Sequence, residues 1–236
     1  MGVRKKRVEN NSSGRAEVLT KDEIKKIAIA EILQPKFELT KQYLNVNKLI
    51  FEKDVPVIEA VIVDEGKNEA RVYFPVKDED YYFLVYIDIR PLIKVRTMYM
   101  TAGNWVSLSV ISENENVSLK KLLETSGIEP TRKWERGEKR TYGRGTYCFS
   151  GFIVRPDETT AGEVEEKIEK LVNLLHPHQE DILKLLKIAD VSLEIVYCGY
   201  KDTMWGLNFK SELIQKIAEL GISIDIDLYA SGPDLK

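Results

Sequence analysis

One segment near the end of this chain, Gly221–Tyr229, restricts the possible folds more than any other. Within it, apolar and polar residues alternate without exception: Ile222, Ser223, Ile224, Asp225, Ile226, Asp227 and Leu228. Successive side chains of a β-strand point to opposite faces, so this pattern predicts a half-buried strand with both carboxylates on its open face. The segment over 210–220 has helical periodicity, and Gly221 is a residue type that commonly ends helices. We therefore expect a helix that Gly221 ends and that the last strand follows directly.

Apolar periodicity divides the whole chain into three regions. Residues 1–19 are polar and basic and are predicted to form a disordered tail. Residues 20–103 are predicted to form an N-terminal α+β domain, which opens with a helix begun by a capping box of Thr20 and Glu23. Residues 104–236 are predicted to form the C-terminal domain, in which Thr160 and Glu163 make a second capping box.

The predicted strands follow this division. They cover residues 57–63, 71–76, 81–89 and 95–100 in the first domain, and 105–111, 147–154, 191–198 and 221–229 in the second. Polar turns at 65–68 and 101–104 are predicted to be hairpin connections. The predicted fold class is α+β: an antiparallel β meander with one helix, followed by a ferredoxin-like α/β sandwich of strand–helix–strand units.

Composition narrows the function classes. The chain has 236 residues, 43% of them hydrophobic, and a formal net charge of −3, which disfavours a broad basic surface for nucleic acid. No apolar run approaches the ~20 residues of a membrane span, and no apolar segment follows the basic N-terminus as in a secretory signal. Cys148 and Cys198 lie in predicted strands and are read as core thiols in a reducing compartment. A cytoplasmic protein is expected.

The segment 128–144 concentrates basic residues beside aromatic ones. Its candidate partner-binding residues are Arg132, Trp134, Arg136, Lys139, Arg140 and Tyr142. Such a group can hold phosphate, stack on a ring or bind an acidic partner. The alternative is structural: Trp134 fills the core, Gly137 makes a turn and the cations are solvated.

Other candidate sites are less complete. Asp225 and Asp227 project from one face of a strand, where a divalent cation or acid–base chemistry could use them, although solubilising or ion-pairing roles are commoner. His176 and His178 flank Pro177 and lack further ligands for a zinc site, so capping of a helix end is expected. The sequence contains no catalytic motif, and we predict no catalytic residue, no cofactor and no bound metal.

The second half of the chain resembles the bacterial domain of unknown function 4279 family. The motifs that carry the resemblance are Gly127-Ile128-Glu129-Pro130-Thr131 followed by Trp134, Arg136 and Gly137, a helical pair over 160–188, and the ending 219–229. The resemblance covers about residues 104–229. It implies an architecture for this part of the chain and attaches no activity to it.

These observations favour a non-catalytic module that recognises another protein, for example an immunity or inhibitor protein in bacterial conflict or phage defence. Two alternatives remain: a metal-dependent hydrolase or phosphotransferase that uses Asp225 and Asp227, and weak nucleic-acid binding through the basic loop. No membrane partner is expected, and a homodimer formed through the last strand remains open. If one face of the aromatic segment 81–87 packs on the first helix, the other is expected to pack against the second domain, the alternative being an aromatic patch that binds a partner.

Overall fold

A computed structural model describes residues 20–141, 143–203 and 206–235. In chain order, the first part contains α1 (Lys21–Leu33), α2 (Glu38–Val46), β1 (Phe51–Glu52), β2 (Val55–Pro56), β3 (Ala60–Asp64), β4 (Glu69–Pro75), β5 (Tyr81–Asp88) and β6 (Lys94–Ser112). The second part contains α3 (Leu119–Ser126), β7 (Arg132–Trp134), β8 (Ser150–Val154), α4 (Val164–Leu175), a 3-10 turn (His176–His178), α5 (Gln179–Leu185), β9 (Asp190–Tyr200), α6 (Ser211–Leu220) and β10 (Ser223–Ser231). The predicted tail over 1–19 lies outside the described residues.

The α+β class is confirmed. Strands β3, β4, β5 and the first half of β6 form the predicted antiparallel meander, and the large sheet to which they belong curls into a half-barrel. The capping box is present at α1, because the Thr20 side chain accepts from the Glu23 amide while the Glu23 carboxylate accepts from the Thr20 amide. The second predicted box is absent, since α4 begins after Glu163 without a side-chain cap.

Helix α2 was not predicted, because its N-cap residue Phe37 supplies no side-chain cap. A buried carboxylate from α1 instead fixes the segment that leads into α2. Glu31, 3% exposed, accepts hydrogen bonds from the backbone amides of Lys36 and Phe37 and from the Thr40 hydroxyl, at 3.1, 3.3 and 3.0 Å. Glu31 therefore holds the segment that leads into α2, and Thr40 of its first turn, against the preceding helix.

The two faces of β5 have the predicted contacts. Tyr81, Phe83, Val85 and Ile87 belong to the core that α1 and α2 cover. On the opposite face, the Tyr82 hydroxyl contacts the Thr160 hydroxyl, and the Tyr86 hydroxyl lies 3.2 Å from Glu163 Oε1. The second aromatic face thus packs against the segment that leads into α4, as expected from the alternation.

Strand β6 runs without interruption over 19 residues, so the hairpin predicted at 101–104 is wrong. Ala102 is the last residue of β6 paired with β5, and Gly103 is the first paired with β9. A Cβ atom on Gly103 would lie 2.0 Å from the Asp80 carbonyl oxygen, so glycine here allows a close backbone approach. The glycine that suggested a turn marks the point where β6 changes partner. The predicted boundary between residues 103 and 104 lies within this strand.

The ferredoxin-like sandwich is not shown. The strands of the second half follow the order β7-β8-β6-β9-β10, in which β9 and β10 are parallel neighbours and β6 and β8 are antiparallel neighbours. A ferredoxin-like unit is a split strand–helix–strand, with another strand inserted between its two strands. Here each strand–helix–strand unit leaves its strands adjacent, and the two units differ in strand direction.

Helices α3 to α6 pack on one face of this part of the sheet. The shared core contains Leu108, Phe152, Ile168, Leu193 and Ile217, among other apolar residues. Gly127 and Gly221 end α3 and α6 in the left-handed conformation, as the sequence predicts for Gly221. In the part of the chain that the structure describes, no helix is both long enough and apolar enough to cross a membrane.

Strand β10 is present with the predicted alternation, but it is not half-buried. All nine of its residues are exposed, including those of its apolar face. Among the described residues, β10 stands at the end of the sheet with β9 as its partner strand, and the helices leave its apolar face open. Of the two cysteines predicted to be core thiols in strands, Cys198 is buried in β9 as expected. Cys148 is exposed and precedes β8, so the prediction is wrong for that residue.

Candidate functional site

Strand β7 and the segment after it place the basic residues predicted to bind a partner. Arg132 and Trp134 pair with Ile153 and Gly151 of β8. The Glu135 carboxylate then accepts from the Ser150 hydroxyl at 2.6 Å and from the Leu119 amide at 3.0 Å, which ties the end of β7 to β8 and to the start of α3. Two strong acceptor contacts from one carboxylate hold this end of the strand in place.

The chain next folds into an irregular hairpin. Gly137 has φ +85°, a conformation that glycine adopts without strain, and its amide donates to the Tyr147 carbonyl at 2.8 Å. The Tyr147 amide donates to the Glu138 carbonyl at 2.9 Å, and Lys139 and Thr146 form an isolated bridge. This hairpin returns Tyr147 to a position beside β7. The predicted turn at Gly137 is therefore confirmed.

Trp134 is the centre of an aromatic stack. It is 6% exposed and stacks on Tyr147, with ring centroids 5.4 Å apart and an interplanar angle of 24°, while Phe149 meets it edge-on at 6.2 Å. A Cβ atom on Gly151 would lie 2.7 Å from Trp134 Cζ2, so the indole lies directly on the backbone of β8. Trp134 thus has the structural role that the sequence offered as an alternative, because its buried indole fills the space between β8 and the rings of Tyr147 and Phe149.

Two guanidinium groups cover the rings. Arg132 Nη2 donates to the Tyr147 hydroxyl at 2.7 Å, and Arg132 Cζ lies 5.8 Å from the Trp134 ring centroid. Arg140 Cζ lies 5.8 Å from the Tyr147 ring, and Arg140 Nε donates to the Thr146 carbonyl at 3.3 Å. Cation–π contacts of this kind orient guanidinium groups without neutralising their charge. We call Arg132, Trp134, Arg140, Tyr147 and Phe149 the basic–aromatic surface.

The neighbouring guanidinium groups affect the pKa of the Tyr147 hydroxyl. Its limited burial would raise the pKa of its hydroxyl, but hydrogen bonds with Thr141 and Arg132 and the charge of Arg132 leave that pKa lowered. The phenolic oxygen is therefore an acceptor held among positive charges. Tyr147 was not among the residues predicted from sequence, and its position on the far arm of the hairpin explains why.

The remaining predicted residues are placed elsewhere. Arg136 turns to the loop before α3, where its guanidinium donates to the Glu113 carbonyl and lies 3.8 Å from the Glu115 carboxylate, so it has a structural role. Lys139 is exposed on the hairpin. Tyr142 lies outside the described residues.

A second arginine–tryptophan pair lies on a neighbouring strand end. Arg155, which follows β8, has its Cζ 5.6 Å from the Trp105 ring of β6. Desolvation by burial lowers the pKa of Arg155, although the charge of Glu194 opposes this. Both residues were missed from sequence, since 50 residues separate them in the chain and only the sheet register brings them together.

The structure gives less support to the other candidate sites, which are the carboxylate pair of β10 and the two histidines. Asp225 and Asp227 are exposed on β10, and Glu194 is the register partner of Asp225. Among residues 20–141, 143–203 and 206–235, no group of three or more His, Cys, Asp and Glu side chains could hold a metal ion. His176 Nε2 lies 3.2 Å from Glu219 Oε2, so this histidine contacts α6 instead of a metal cluster.

The sequence profile of a family described as Domain of unknown function (DUF4279) matches residues 100–231, more than half of the chain. The chain belongs to this family. No curated protein and no solved structure shows a significant match to it. The DUF4279 match confirms the resemblance seen in the motifs around Trp134 and in the last strand, and it begins within β6.

The DUF4279 region contains the whole basic–aromatic surface. It also contains Trp105, Arg155 and all of β9 and β10. The family description assigns no activity, so the chemistry of these residues is the basis for a functional proposal.

Proposed function

We propose that the chain is a non-catalytic protein-recognition module that acts in the cytoplasm and binds an acidic face of another protein through the basic–aromatic surface. In its specific form, the proposal is an immunity or inhibitor protein in bacterial conflict or phage defence. The observation that supports it is the pair of guanidinium groups, Arg132 and Arg140, which lie over a fixed aromatic stack.

The arrangement suits recognition for two reasons. Arginine and aromatic side chains supply much of the binding energy at protein interfaces. Because Trp134 and Tyr147 already stack on each other, the two guanidinium groups lose less conformational freedom on binding a carboxylate than free surface arginines would. Their planar forks match carboxylates in a two-pronged geometry.

The contacts of the arginine side chains determine which substitutions can test partner binding. A sequence-based test would reverse the charge of Arg136, but Arg136 supports the loop at Glu113, so its replacement would disturb folding. We instead select Arg132→Glu with Arg140→Glu, which are both exposed. The matched control is Lys21→Glu with Lys26→Glu, two exposed lysines on α1 that give the same change in net charge.

The test is affinity capture from a lysate of the organism that carries the chain, with and without nuclease. A single stoichiometric protein should be captured by the wild type and by the control, and be lost with the Arg132→Glu/Arg140→Glu variant. Its purified form should then bind with the same dependence in calorimetry. Capture that needs nucleic acid, or a protein partner retained by the arginine variant, would contradict the proposal.

A further inference from the structure

Strand β10 has a free edge. It pairs along its length with β9 and stands at the end of the sheet. In the described part of the chain, no strand pairs with its other edge. Such an edge presents a row of unpaired backbone N–H and C=O groups, which can pair with another extended segment.

Both faces of β10 are open as well. On the apolar face, Ile224, Ile226 and Leu228 are 42%, 38% and 56% exposed. On the polar face, Asp225 and Asp227 are exposed, and no hydrogen bond or salt bridge to either carboxylate occurs within the described residues. Strand β10 therefore has an exposed apolar row on one face and two unpaired carboxylates on the other, beside its free edge.

In the fully paired register, a second copy of the chain is a poor occupant for this edge. The symmetric antiparallel register that pairs all of Ser223–Ser231 has its twofold axis at Asp227, so it places two Asp227 carboxylates opposite each other. The neighbouring register, centred at Ile226, places Asp225 opposite Asp227. Like charges directly opposite each other destabilise a strand pair.

We propose that β10 accepts an extended segment of another protein in which basic and apolar residues alternate, and that this segment adds to the sheet as a further strand. Its backbone would pair with the free edge of β10. Its basic side chains would lie beside Asp225 and Asp227, and its apolar side chains would extend the row of Ile224, Ile226 and Leu228. Main-chain pairing gives affinity in this mode, and the alternation gives specificity.

This surface is separate from the one under Proposed function. In the strand order β7-β8-β6-β9-β10, the basic–aromatic surface is at β7 and the acidic edge is at β10, so they occupy opposite edges of this part of the sheet. A partner that binds one edge leaves the other accessible. The two proposals can therefore fail independently.

The test uses two eight-residue peptide probes, one alternating lysine with valine and one alternating glutamate with valine. With the full chain, the lysine peptide should bind and should slow amide hydrogen exchange over 223–231, while the glutamate peptide should not. In the Asp225→Lys/Asp227→Lys variant the preference should reverse, with the ratio of the two affinities changing by about tenfold or more. Both positions are exposed, so this variant should keep the fold.

Three results would overturn the proposal. The first is equal binding of both peptides to the wild type. The second is lysine-peptide binding that the charge reversal leaves unchanged or that protects other strands. The third is sedimentation showing a wild-type dimer whose formation protects 223–231. The Arg132→Glu/Arg140→Glu variant should bind the lysine peptide as the wild type does, which separates this outcome from the outcome for the basic–aromatic surface.

Discussion

Arg71 Nη2 on β4 lies 2.8 Å from Glu166 Oε1 and 3.1 Å from Glu166 Oε2 on α4, although 95 residues separate them in the chain. The Arg71 side chain is 3% exposed, and its Nη1 lies 3.5 Å from Glu163 Oε1. Burial alone would lower the pKa of Arg71, but the hydrogen bond and charge of Glu166, with Glu163, leave that pKa raised. This contact joins the meander to the start of the helical layer in the DUF4279 region.

Glu166→Ala should destabilise the fold. It removes the closest partner of a buried guanidinium, and leaving a buried charge under-compensated is costly. Because the Glu166 side chain is 44% exposed and Glu163 remains nearby, we expect a loss of about 1–3 kcal/mol in the free energy of unfolding, measured by urea denaturation.

The control for this change is Glu169→Ala. Glu169 lies one turn along α4, is exposed and forms no salt bridge within the described residues, so its loss should stay within about 0.5 kcal/mol. Equal effects of the two substitutions would show that the contact between Arg71 and Glu166 adds no stability.

Lys167 should make stability depend on pH. Its side chain is 7% exposed and donates to the carbonyls of Asn104 and Thr159 at 2.8 and 3.0 Å. Desolvation lowers the pKa of Lys167 to about 8, with the charge of Asp157 opposing the shift. Between pH 8 and the ordinary lysine range, the unfolded state therefore binds more protons than the folded state. Stability from this group should rise as pH increases through that window.

The measurement is the difference in unfolding free energy between the wild type and Lys167→Met, from pH 7.5 to 9.5. That difference should shift in favour of the wild type by about 1–2 kcal/mol across the range, which is part of the full linkage. Lys216→Met, at a lysine that bonds Asn173 on the surface, is the control and should give a flat difference. A flat difference for Lys167 as well would contradict the buried-amine assignment.

Gly151→Ala should disturb the basic–aromatic surface. A Cβ atom there would lie 2.5 Å from the Val110 carbonyl oxygen and 2.7 Å from Trp134 Cζ2, so either the strand or the indole must shift. We expect a loss of about 1–3 kcal/mol, as for other overpacked positions, together with a change in tryptophan fluorescence.

The comparison for this substitution is Gly206→Ala. Gly206 has no atom within 4 Å of an added Cβ, and its φ is not in the left-handed region, so stability should change by about 0.5 kcal/mol or less. If Gly151→Ala were as well tolerated, the close packing of Trp134 on β8 would be wrong.

Glu31→Ala should loosen α2. The change removes the acceptor for the amides of Lys36 and Phe37 and for the Thr40 hydroxyl, and Thr40 is fully buried. Loss of the acceptor for the buried Thr40 hydroxyl and for two amides of the segment before α2 should cost about 1–3 kcal/mol in thermal or urea unfolding. Glu38→Ala, at an exposed carboxylate paired with Lys41, should cost much less, and a reversed order of the two effects would contradict this role for Glu31.

Local signals predicted the elements that local interactions determine. Thr20 with Glu23, the alternation of residues 81–87 and the glycine after α6 each act within a few residues, so the sequence shows them directly. The predictions of secondary structure failed where a residue distant in the chain determines the local conformation. Gly103 resembles a turn residue until Asp80 and Cys198 are seen on either side of β6, and the start of α2 is held by Glu31 of another helix.

The candidate site shows the same division. Sequence identified the basic segment and Trp134, but it could not show that Arg132 and Arg140 meet over Tyr147 while Arg136 turns away. It also could not show that the last strand is an edge strand, because the same alternation is typical of a half-buried strand inside a sheet. Register and sheet order, which depend on contacts across the chain, decide both points.

The continuity of β6 has a consequence for how the molecule opens. Residues of β6 up to Ala102 pair with β5, and residues from Gly103 onward pair with β9. Unfolding either the meander or the DUF4279 region would therefore disrupt the strand on which the other region depends. We expect the meander and the DUF4279 region to unfold as one cooperative unit, with amides in β5 and β9 exchanging through the same global event. We therefore expect no folding boundary at the point in β6 where the family match begins.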